Sequence, residues 1–404
     1  MKFELKNEYL ERLKNELNDK EYSLYLNCLD GEETHGMTIN FTKLNKSSID
    51  INYLIDRFSL KEIFKNDRYG YYTYDKNDLL YHGIFPGKDP LYHVGLYYIQ
   101  EPSAANVLGN LSINTSDIVL DMCASPGGKT AQILYSLKKE DGGFLVSNEV
   151  DYSRAKILNS NIERLGFENV AITVASSKEL LGKFEDYFDK VLVDAPCSGE
   201  GMFRKSIEAR QQWSESLVKS CAKTQRELIE YAYSMLKPGG ILIYSTCTFS
   251  KDEDEEVLDS LVNNHVGAKI IKSEKSYPFN SIGEGQFYAI IKKEDGETFN
   301  HGKPSENSFD GMRLLRYGIR EYENEGKHIM PSHESTHCDD IKFDNEIELD
   351  DIEVYKYLRG ETIKKDLDFS GYCKVTYKKL GLGLAKYVNG VLKNHYPKGL
   401  RIFW

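Results

Sequence analysis

The sequence of 404 residues lacks several features that would assign it to a function class at once. No apolar run approaches the length of about 18 residues that a membrane-spanning helix needs, and the start, Met1-Lys-Phe-Glu-Leu-Lys, does not have the composition of a signal peptide. The seven cysteines are scattered and contain no C-x-x-C pair, so we expect neither a disulfide framework nor a zinc site. These absences favour a protein of the reducing cytoplasm.

Acidic residues are missing from the final segment, 372–404, although the formal net charge of the chain is −11. Basic and aromatic residues are interleaved there: Lys374, Lys378, Lys379, Lys386, Lys393, Lys398 and Arg401 with Tyr377, Tyr387, Tyr396 and Phe403. This mixture suits phosphate contacts and base stacking and predicts nucleic-acid binding. The alternative is a small basic domain that balances the acidic stretch 339–353.

The length predicts two or three domains, because one core seldom extends over so long a chain. Residues 1–92 read as a small mixed α/β domain with a helix near 3–17, a strand at 37–41 and a tyrosine-rich stretch at 70–74. The alternatives for this stretch are an edge strand, a stacking surface and core packing, of which core packing is favoured. Residues 93–293 alternate strands and helices, which favours a mostly parallel, doubly wound sheet. Residues 294–404 comprise a polar linker, to about 310, and a smaller basic domain.

The middle region contains the clearest periodic patterns. Strands are predicted at 118–120, 143–148, 170–174, 190–193, 241–245, 269–271 and 286–292, and helices at 130–137, 153–165 and 216–236. Ser250 and Glu253 have the spacing of a capping box. The acidic run that contains Glu253 is therefore interpreted as a helix N-terminus.

A glycine-containing loop, Asp121-Met-Cys-Ala-Ser-Pro-Gly-Gly-Lys-Thr130, stands between a predicted strand and a predicted helix. Its last residues match a phosphate-binding loop, and 190–194 would supply the acidic strand of a Mg²⁺-dependent triphosphatase. The first glycine of that motif is replaced by Cys123, which disfavours the triphosphatase. The competing interpretation is a dinucleotide or S-adenosylmethionine pocket, which needs an acid after the next strand to hold ribose hydroxyls. Glu149 meets that need.

Two cysteines follow neighbouring predicted strands, in Asp194-Ala-Pro-Cys197 and in Ser245-Thr-Cys247. Both belong at the carboxyl edge of the sheet, above the loop. Cytosine C5 becomes nucleophilic when a thiolate adds to C6, and a carboxylic acid at N3 would stabilise the adduct. Because a free thiol has a pKa near 8.5, a cation such as Lys129 would have to help it ionise. Spacing does not decide which thiol attacks.

These motifs together resemble those of the Sun-family RNA cytosine-5 methyltransferases. The resemblance rests on Asp121 to Lys129, on Asp194-Ala-Pro-Cys-Ser-Gly-Glu-Gly-Met-Phe-Arg204 and on Tyr244-Ser-Thr-Cys-Thr248. Pro331-Ser-His333 and Asn394-His-Tyr-Pro-Lys-Gly-Leu-Arg401 are similar to the bacterial RsmF-type branch, which methylates 16S ribosomal RNA. The resemblance therefore spans nearly the whole chain.

The resemblance implies a Rossmann-like methyltransferase core, S-adenosylmethionine as cofactor, and a role for each matching residue. Cys247 would be the nucleophile, Cys197 would assist product release, and Asp194 would lie near the methyl donor and the cytosine. The loop residues Cys123, Ala124, Ser125, Pro126, Gly127, Gly128 and Lys129 would hold the cofactor, and Glu149 would bind its ribose. Arg154 is treated as a support of the loop.

The sequence departs from the family where many members have an acid that contacts adenine. Ser176 occupies that position, and its hydroxyl, or Glu179 nearby, would have to replace the acid. The C-terminal domain would be PUA-like and bind RNA, most simply 16S rRNA or an assembling small subunit, and the protein would be a monomer without metal or membrane. The alternative function is a catalytically weak ribosome-assembly factor. An amino-group methyltransferase is disfavoured, since no Asn/Asp-Pro-Pro-aromatic motif occupies the position of Asp194.

Overall fold

The computed structural model describes residues 5–109, 111–294, 296–297, 301–325 and 328–403. The start of the predicted first helix, part of the predicted linker and Trp404 lie outside the described residues.

The α-helices are numbered in chain order. They are α1 (Asn7–Glu16), α2 (Asp19–Cys28), α3 (Phe41–Lys46), α4 (Ile51–Phe58), α5 (Lys76–Tyr81), α6 (Pro90–His93), α7 (Pro102–Gly109), α8 (Gly128–Ser136), α9 (Tyr152–Glu163), α10 (Ser177–Phe184), α11 (Ile207–Gln212), α12 (Glu215–Met235), α13 (Glu255–Asn264) and α14 (Glu353–Leu358).

The strands are numbered in the same way. They are β1 (His35–Asn40), β2 (Lys61–Lys65), β3 (Tyr69–Tyr74), β4 (Tyr97–Ile99), β5 (Ile118–Asp121), β6 (Phe144–Asn148), β7 (Val170–Val174), β8 (Phe188–Asp194), β9 (Leu236–Thr246), β10 (Ala268–Ser276), β11 (Gln286–Lys293), β12 (Arg313–Tyr317), β13 (Tyr322–Glu325), β14 (His328–Pro331), β15 (Glu346–Glu348), β16 (Ile363–Lys364), β17 (Gly371–Tyr377), β18 (Leu380–Val388) and β19 (Val391–Asn394).

The largest sheet has eight strands in the order β10-β11-β9-β8-β5-β6-β7-β12. β6, β5, β8 and β9 are parallel to one another, whereas β11 and β10 add to β9 in antiparallel orientation. The strand and helix predictions for this region are confirmed within a few residues at each end. Because the central strands are parallel, β5, β6, β8 and β9 all end at one edge of the sheet, which collects their C-terminal loops.

Contacts between Cα atoms divide the chain into two compact units that do not follow chain order. The first contains residues 1–36, 100–155 and 171–315, and the second contains 37–99, 156–170 and 316–404. Each unit draws on separate parts of the sequence, so this division does not test the predicted boundaries at 92 and 293, which stay predictions.

The first helices belong to the same unit as the eight-stranded sheet. Tyr9 of α1 lies edge-on to Phe203 and Trp213, with ring centroids 5.0 and 5.2 Å apart. Arg12 pairs with the buried carboxylate of Glu200 at 2.5 Å, and the indole of Trp213 donates to the same carboxylate at 2.8 Å. An aromatic cluster with a buried ion pair thus joins the start of the chain to the loops that follow β8.

The second unit contains a four-stranded sheet, β2-β3-β1-β4, and a five-stranded sheet, β15-β17-β18-β19-β16. The tyrosine-rich strand β3 lies between β2 and β1, so it is not an edge strand, and Tyr71 and Tyr72 are buried. The base stacking expected of Tyr377, Tyr387 and Tyr396 is wrong, because all three pack in the core of this unit.

Several basic residues of the C-terminal segment do face solvent. Lys379, Lys393 and Lys398 are exposed, whereas Lys374 is buried. The exposed lysines are the ones that can contact phosphates.

Candidate active site

The glycine loop joins β5 to α8 in the interior of the large sheet. Asp121 ends β5 and Gly128 begins α8, preceded by Gly127, whose φ of 113° lies in the left-handed region that favours glycine. A Cβ at Gly128 would lie 3.0 Å from the side chain of Gln100, so a larger residue would require that side chain to shift. The predicted loop 123–129 is a tight turn that leads into the N-terminus of α8 at the edge of the sheet.

The neighbouring segments hold the loop in place. The backbone N–H of Ala124 donates to the carbonyl of Asn148 at 2.9 Å. Arg154 donates from Nη2 to the carbonyl of Ser125 at 3.0 Å, and the Ser125 hydroxyl donates to the carbonyl of Arg154 at 3.1 Å. Arg154 thus makes the loop-supporting contacts expected of it. Burial, followed by the charge of Asp121, raises the pKa of the Cys123 thiol, which therefore stays protonated.

Asp121 lies beneath the loop with almost no exposed surface. Its Oδ2 accepts a hydrogen bond from the Thr130 hydroxyl at 2.7 Å, whereas its buried Oδ1 has no hydrogen-bond partner. Burial raises the pKa of Asp121 to about 7. The site therefore has an unused acceptor on its floor at neutral pH.

Glu149 follows β6, the next parallel strand beyond the loop. Its side chain is 3% exposed, one carboxylate oxygen accepts from the Asp151 backbone N–H at 3.0 Å, and the other lies 3.3 Å from Nη2 of Arg154. The carboxylate is therefore fixed beside the loop, where it can accept hydrogen bonds from ribose hydroxyls.

Lys129 and Asp194 form an ion pair across the site. The Lys129 ammonium lies 2.8 Å from Oδ2 of Asp194, and the lysine side chain is 7% exposed. The Ser245 hydroxyl donates to Oδ1 of Asp194 at 2.7 Å, with Gln286 at 3.4 Å. Lys129 therefore pairs with the carboxylate of Asp194, and its charge is not reserved for Cys197 or for Cys247.

The two predicted cysteines meet at the ends of β8 and β9. Their Sγ atoms lie 3.2 Å apart, both as free thiols and both half-buried. The sulfur–sulfur hydrogen bond, and after it burial, raise the pKa of Cys197 well above its usual range. Cys197 therefore stays protonated and can donate its hydrogen bond to Cys247.

The capping box predicted for Ser250 and Glu253 is wrong. Helix α13 begins at Glu255, and no side chain caps it. Glu253 instead is fully buried and accepts hydrogen bonds from the Ser198 backbone N–H at 2.9 Å and from the Ser198 hydroxyl at 2.5 Å. The carboxylate is used inside the site rather than at a helix end.

Glu253 thus links the segments that carry the two thiols. Gln225 of α12 donates to Glu253 at 3.0 Å and to the Pro196 carbonyl at 2.8 Å, and the Thr248 hydroxyl lies 2.8 Å from that of Ser198. Sequence reasoning missed this network, because Glu253 stands among acidic residues and no local pattern separates it from them.

Ser176 has a local partner in the structure. It is the N-cap of α10 and forms a capping box with Glu179: its hydroxyl donates to the carboxylate at 2.7 Å and accepts from the Glu179 N–H at 3.3 Å. Both groups proposed for adenine recognition are thus engaged with each other. An adenine contact by Ser176 stays a prediction.

The donor set suits S-adenosylmethionine. A tight turn with Gly127 in the left-handed region, an unpartnered buried carboxylate oxygen and a fixed acid after the next strand are features that suit such a ligand. Over the described residues, no group of three or more His, Cys, Asp or Glu side chains could hold a metal ion. The same part of the chain contains no helix long and apolar enough to cross a membrane.

Fold and site together define a Rossmann-like methyltransferase that uses S-adenosylmethionine. Residues 109–312 match the family model described as 16S rRNA methyltransferase RsmB/F. Residues 5–102 match the N-terminal domain of 16S rRNA methyltransferase RsmF, and residues 344–402 match the methyltransferase RsmF PUA domain. The chain belongs to the RsmB/F family of RNA cytosine-5 methyltransferases, and the PUA prediction is confirmed.

Similar proteins agree with this assignment. Ribosomal RNA small subunit methyltransferase F of Aliivibrio fischeri (strain MJ11) is 32% identical over 376 residues, which covers 76% of this chain and 79% of the relative. The protein of that name from Enterobacter sp. (strain 638) is 31% identical over 376 residues, with 76% and 78% covered.

Solved structures share the fold. A methyltransferase homolog protein from Pyrococcus horikoshii has a TM-score of 0.57 at 24% identity and covers 72% of this chain and 100% of its own. NSun6 from the same organism, with SFG, has a TM-score of 0.58 at 21% identity, covering 72% and 99%.

Proposed function

We propose that methyl transfer to cytosine in 16S rRNA proceeds through a covalent adduct with Cys247. The Cys247 thiolate adds to C6 of the ring and forms a C6–S bond, which makes C5 nucleophilic. Bound S-adenosylmethionine supplies the methyl group to C5. The 3.2 Å contact with a protonated Cys197 supports Cys247 as the thiolate of the pair.

Release of the product reverses the addition. The C5–H bond breaks and its electron pair restores the C5–C6 double bond, while the C6–S bond breaks and its pair returns to sulfur. We assign proton transfer in this step to Cys197, because its sulfur is the neighbour of Cys247. Cys197 gives its proton to the departing Cys247 sulfur and takes up the proton released from C5. Asp194, paired with Lys129, is assigned to N3 of the cytosine: the pair donates a proton to N3 as addition places negative charge there, and takes it back when the thiolate leaves.

The remaining assignments belong to the same proposal. Loop 123–129 holds the cofactor, Glu149 binds its ribose and Ser176 lies toward adenine. The catalytic domain extends from 93 to 293, between an RNA-contacting domain at 1–92 and the linker and PUA domain at 294–404. The protein acts as a monomer in the cytoplasm, on 16S rRNA or an assembling small subunit.

The test uses wild type, Cys247→Ala and Cys197→Ala with S-adenosylmethionine and unmodified small-subunit rRNA. Mass spectrometry reads 5-methylcytosine, and a denaturing gel reads protein–RNA adducts. We expect product from wild type, neither product nor adduct from Cys247→Ala, and an accumulating adduct from Cys197→Ala.

The contrary outcomes are equally definite. An adduct that accumulates in Cys247→Ala instead would reverse the two roles. Tight RNA binding by wild type without methylation of rRNA or assembling subunits would favour the assembly-factor alternative.

A further inference from the structure

A cavity lies in the unit formed by residues 37–99, 156–170 and 316–404. It has a volume of about 110 Å³ and is lined by residues that include His93, Glu163, Arg164, His333, His337 and Tyr396. None of these residues belongs to the methyl-transfer site. The cavity therefore needs an explanation of its own.

Arg164 lines this cavity with an unused hydrogen-bonding edge. The residue is 8% exposed, and its Nη1 donates to the carbonyls of Tyr92 and Tyr97, each at 3.1 Å. The Tyr92 ring stacks on the guanidinium, with 3.7 Å from Cζ to the ring centroid. Nε and Nη2 are buried without hydrogen-bond partners. This pair of nitrogens is the edge with which arginine binds two oxygens of one anion.

The two histidines add one donor and one acceptor. Nε2 of His337 lies 3.4 Å from Nε2 of His333, while Nδ1 of each is buried and unpartnered. Burial lowers the pKa of His333 to about 4 and lowers the pKa of His337 well below its usual range, so both rings are neutral. The ring whose Nε2 accepts carries its proton on Nδ1, which has no acceptor, whereas Nδ1 of the ring that donates is an unpartnered acceptor.

His93 extends the set of donors. Its Nδ1 lies 2.8 Å from the hydroxyl of Tyr396, and its Nε2 is buried and unpartnered. When the hydroxyl donates to Nδ1, the proton of His93 stands on Nε2. Burial, together with the charge of Arg164, lowers the pKa of His93 to about 4. His93 then adds one unpartnered donor to the cavity.

The backbone that frames the cavity is closely packed. A Cβ at Gly166, which has a φ of +75°, would lie 2.1 Å from the carbonyl of His337. The chain after α9 therefore packs directly against the turn Glu334–His337, and no residue larger than glycine fits at position 166. Glu163 is the carboxylate that lines the cavity, and burial raises its pKa to about 7, so it is partly neutral at physiological pH.

We propose that this cavity binds a phosphate group through Arg164 and the His333–His337 pair. The oxygens of a phosphate group accept from the unpartnered Nε and Nη2 edge of Arg164 and from the one protonated, unpartnered Nδ1 of the histidine pair. The phosphate comes from the backbone or an end of the RNA substrate or from free phosphate. This inference concerns binding and is independent of the covalent step proposed above.

The test follows the imidazole nitrogens of ¹⁵N-histidine-labelled protein by NMR during titration with inorganic phosphate at constant ionic strength, with chloride as the control anion. We expect saturable shifts of His333 and His337 with phosphate only. Arg164→Lys keeps the charge but loses the bidentate edge, so we expect the dissociation constant to rise about tenfold or more. Arg226→Lys, at an exposed ion pair, serves as the matched control and should bind as wild type does.

Two further measurements distinguish RNA from free phosphate as the ligand and provide for the case in which a variant does not fold. If RNA supplies the phosphate, a small-subunit rRNA fragment shifts the same histidine signals and abolishes their response to inorganic phosphate. If free phosphate is the ligand, the histidine signals still respond to inorganic phosphate when the fragment is present. His337→Gln provides a second variant in case Arg164→Lys does not fold, and it should weaken phosphate binding. Absence of a saturable shift in wild type, or an unchanged dissociation constant in a folded variant, would mean that the cavity holds only water.

Discussion

The chemistry of Asp121 is set by its burial beneath the cofactor loop. One of its oxygens has a partner and the other has none, and the pKa of the group is about 7. A buried carboxylate of this kind is a stability cost in the free protein once it ionises. The same oxygen is a ready acceptor for a ligand above it, so the cost and the binding function have one origin.

We expect Asp121→Asn to stabilise the ligand-free protein at pH 8 but not at pH 4. The folded pKa of Asp121 lies above the unfolded value of 3.8, so its contribution to stability is complete below about pH 4 and is lost as the pH rises through 7. The loss approaches about 4 kcal/mol as an upper bound. Urea unfolding at both pH values measures it, with exposed Asp141→Asn as the control. An equal effect of Asp121→Asn at both pH values would contradict the prediction.

Individual elements explain how the two thiols come together. The strands β8 and β9 bring Cys197 and Cys247 to one edge, but the segments after the strands are positioned by Glu253, which bonds to Ser198. Glu253 is one of several groups whose negative charge or hydrogen bonds raise the pKa of Cys197. Glu253 is therefore a positioning residue, and its charge also favours the protonated form of Cys197.

We expect Glu253→Gln to lower the rate of methyl transfer about tenfold while RNA affinity changes little. Glutamine has the same size, but its amide group would face donors where the carboxylate now accepts from Ser198 and Gln225. Removing the charge should also lower the pKa of Cys197 and shift the pH–rate profile to lower pH. Glu256→Gln, exposed in the same acidic run, is the matched control. A profile that does not move would show that Glu253 only supports the fold.

Each of the two compact units of the molecule combines segments that are far apart in the sequence. Residues 1–36 belong with the large sheet, through Tyr9, Arg12 and the aromatic cluster around Trp213. The chain first leaves this unit after Gly36 and re-enters it at Gln100, where the N–H of Gln100 donates to the carbonyl of Gly36 at 3.0 Å.

We expect residues 93–315 alone to unfold with low cooperativity and to bind hydrophobic dyes, since Phe203, Trp213 and Phe249 would lose their cover. A chain in which residue 36 is joined by a short glycine linker to residue 100 and continues to 315 should unfold cooperatively. Calorimetry and dye binding compare the two. If 93–315 is as stable as the joined chain, the first helices are dispensable and the predicted domain boundary at 92 gains support.

Local patterns predicted much of the catalytic region. The alternation of apolar runs with glycine turns placed β5 to β9 and α8, α9 and α12, and the strand ends placed Asp194, Cys197, Cys247 and Glu149 near one edge. These predictions worked because strand period and turn chemistry are local properties, and parallel strands bring their ends to the same side.

The sequence by itself therefore determined the family, the sheet and the residues at its edge. Only the tertiary structure decided which acidic residues of 252–256 are buried, that Lys129 pairs with Asp194, that Ser176 caps a helix, and that the C-terminal tyrosines form a core. Burial and side-chain pairing depend on what distant segments bring near a residue. Neighbours in the sequence do not encode that information, since the same acid can cap a helix or bridge two loops.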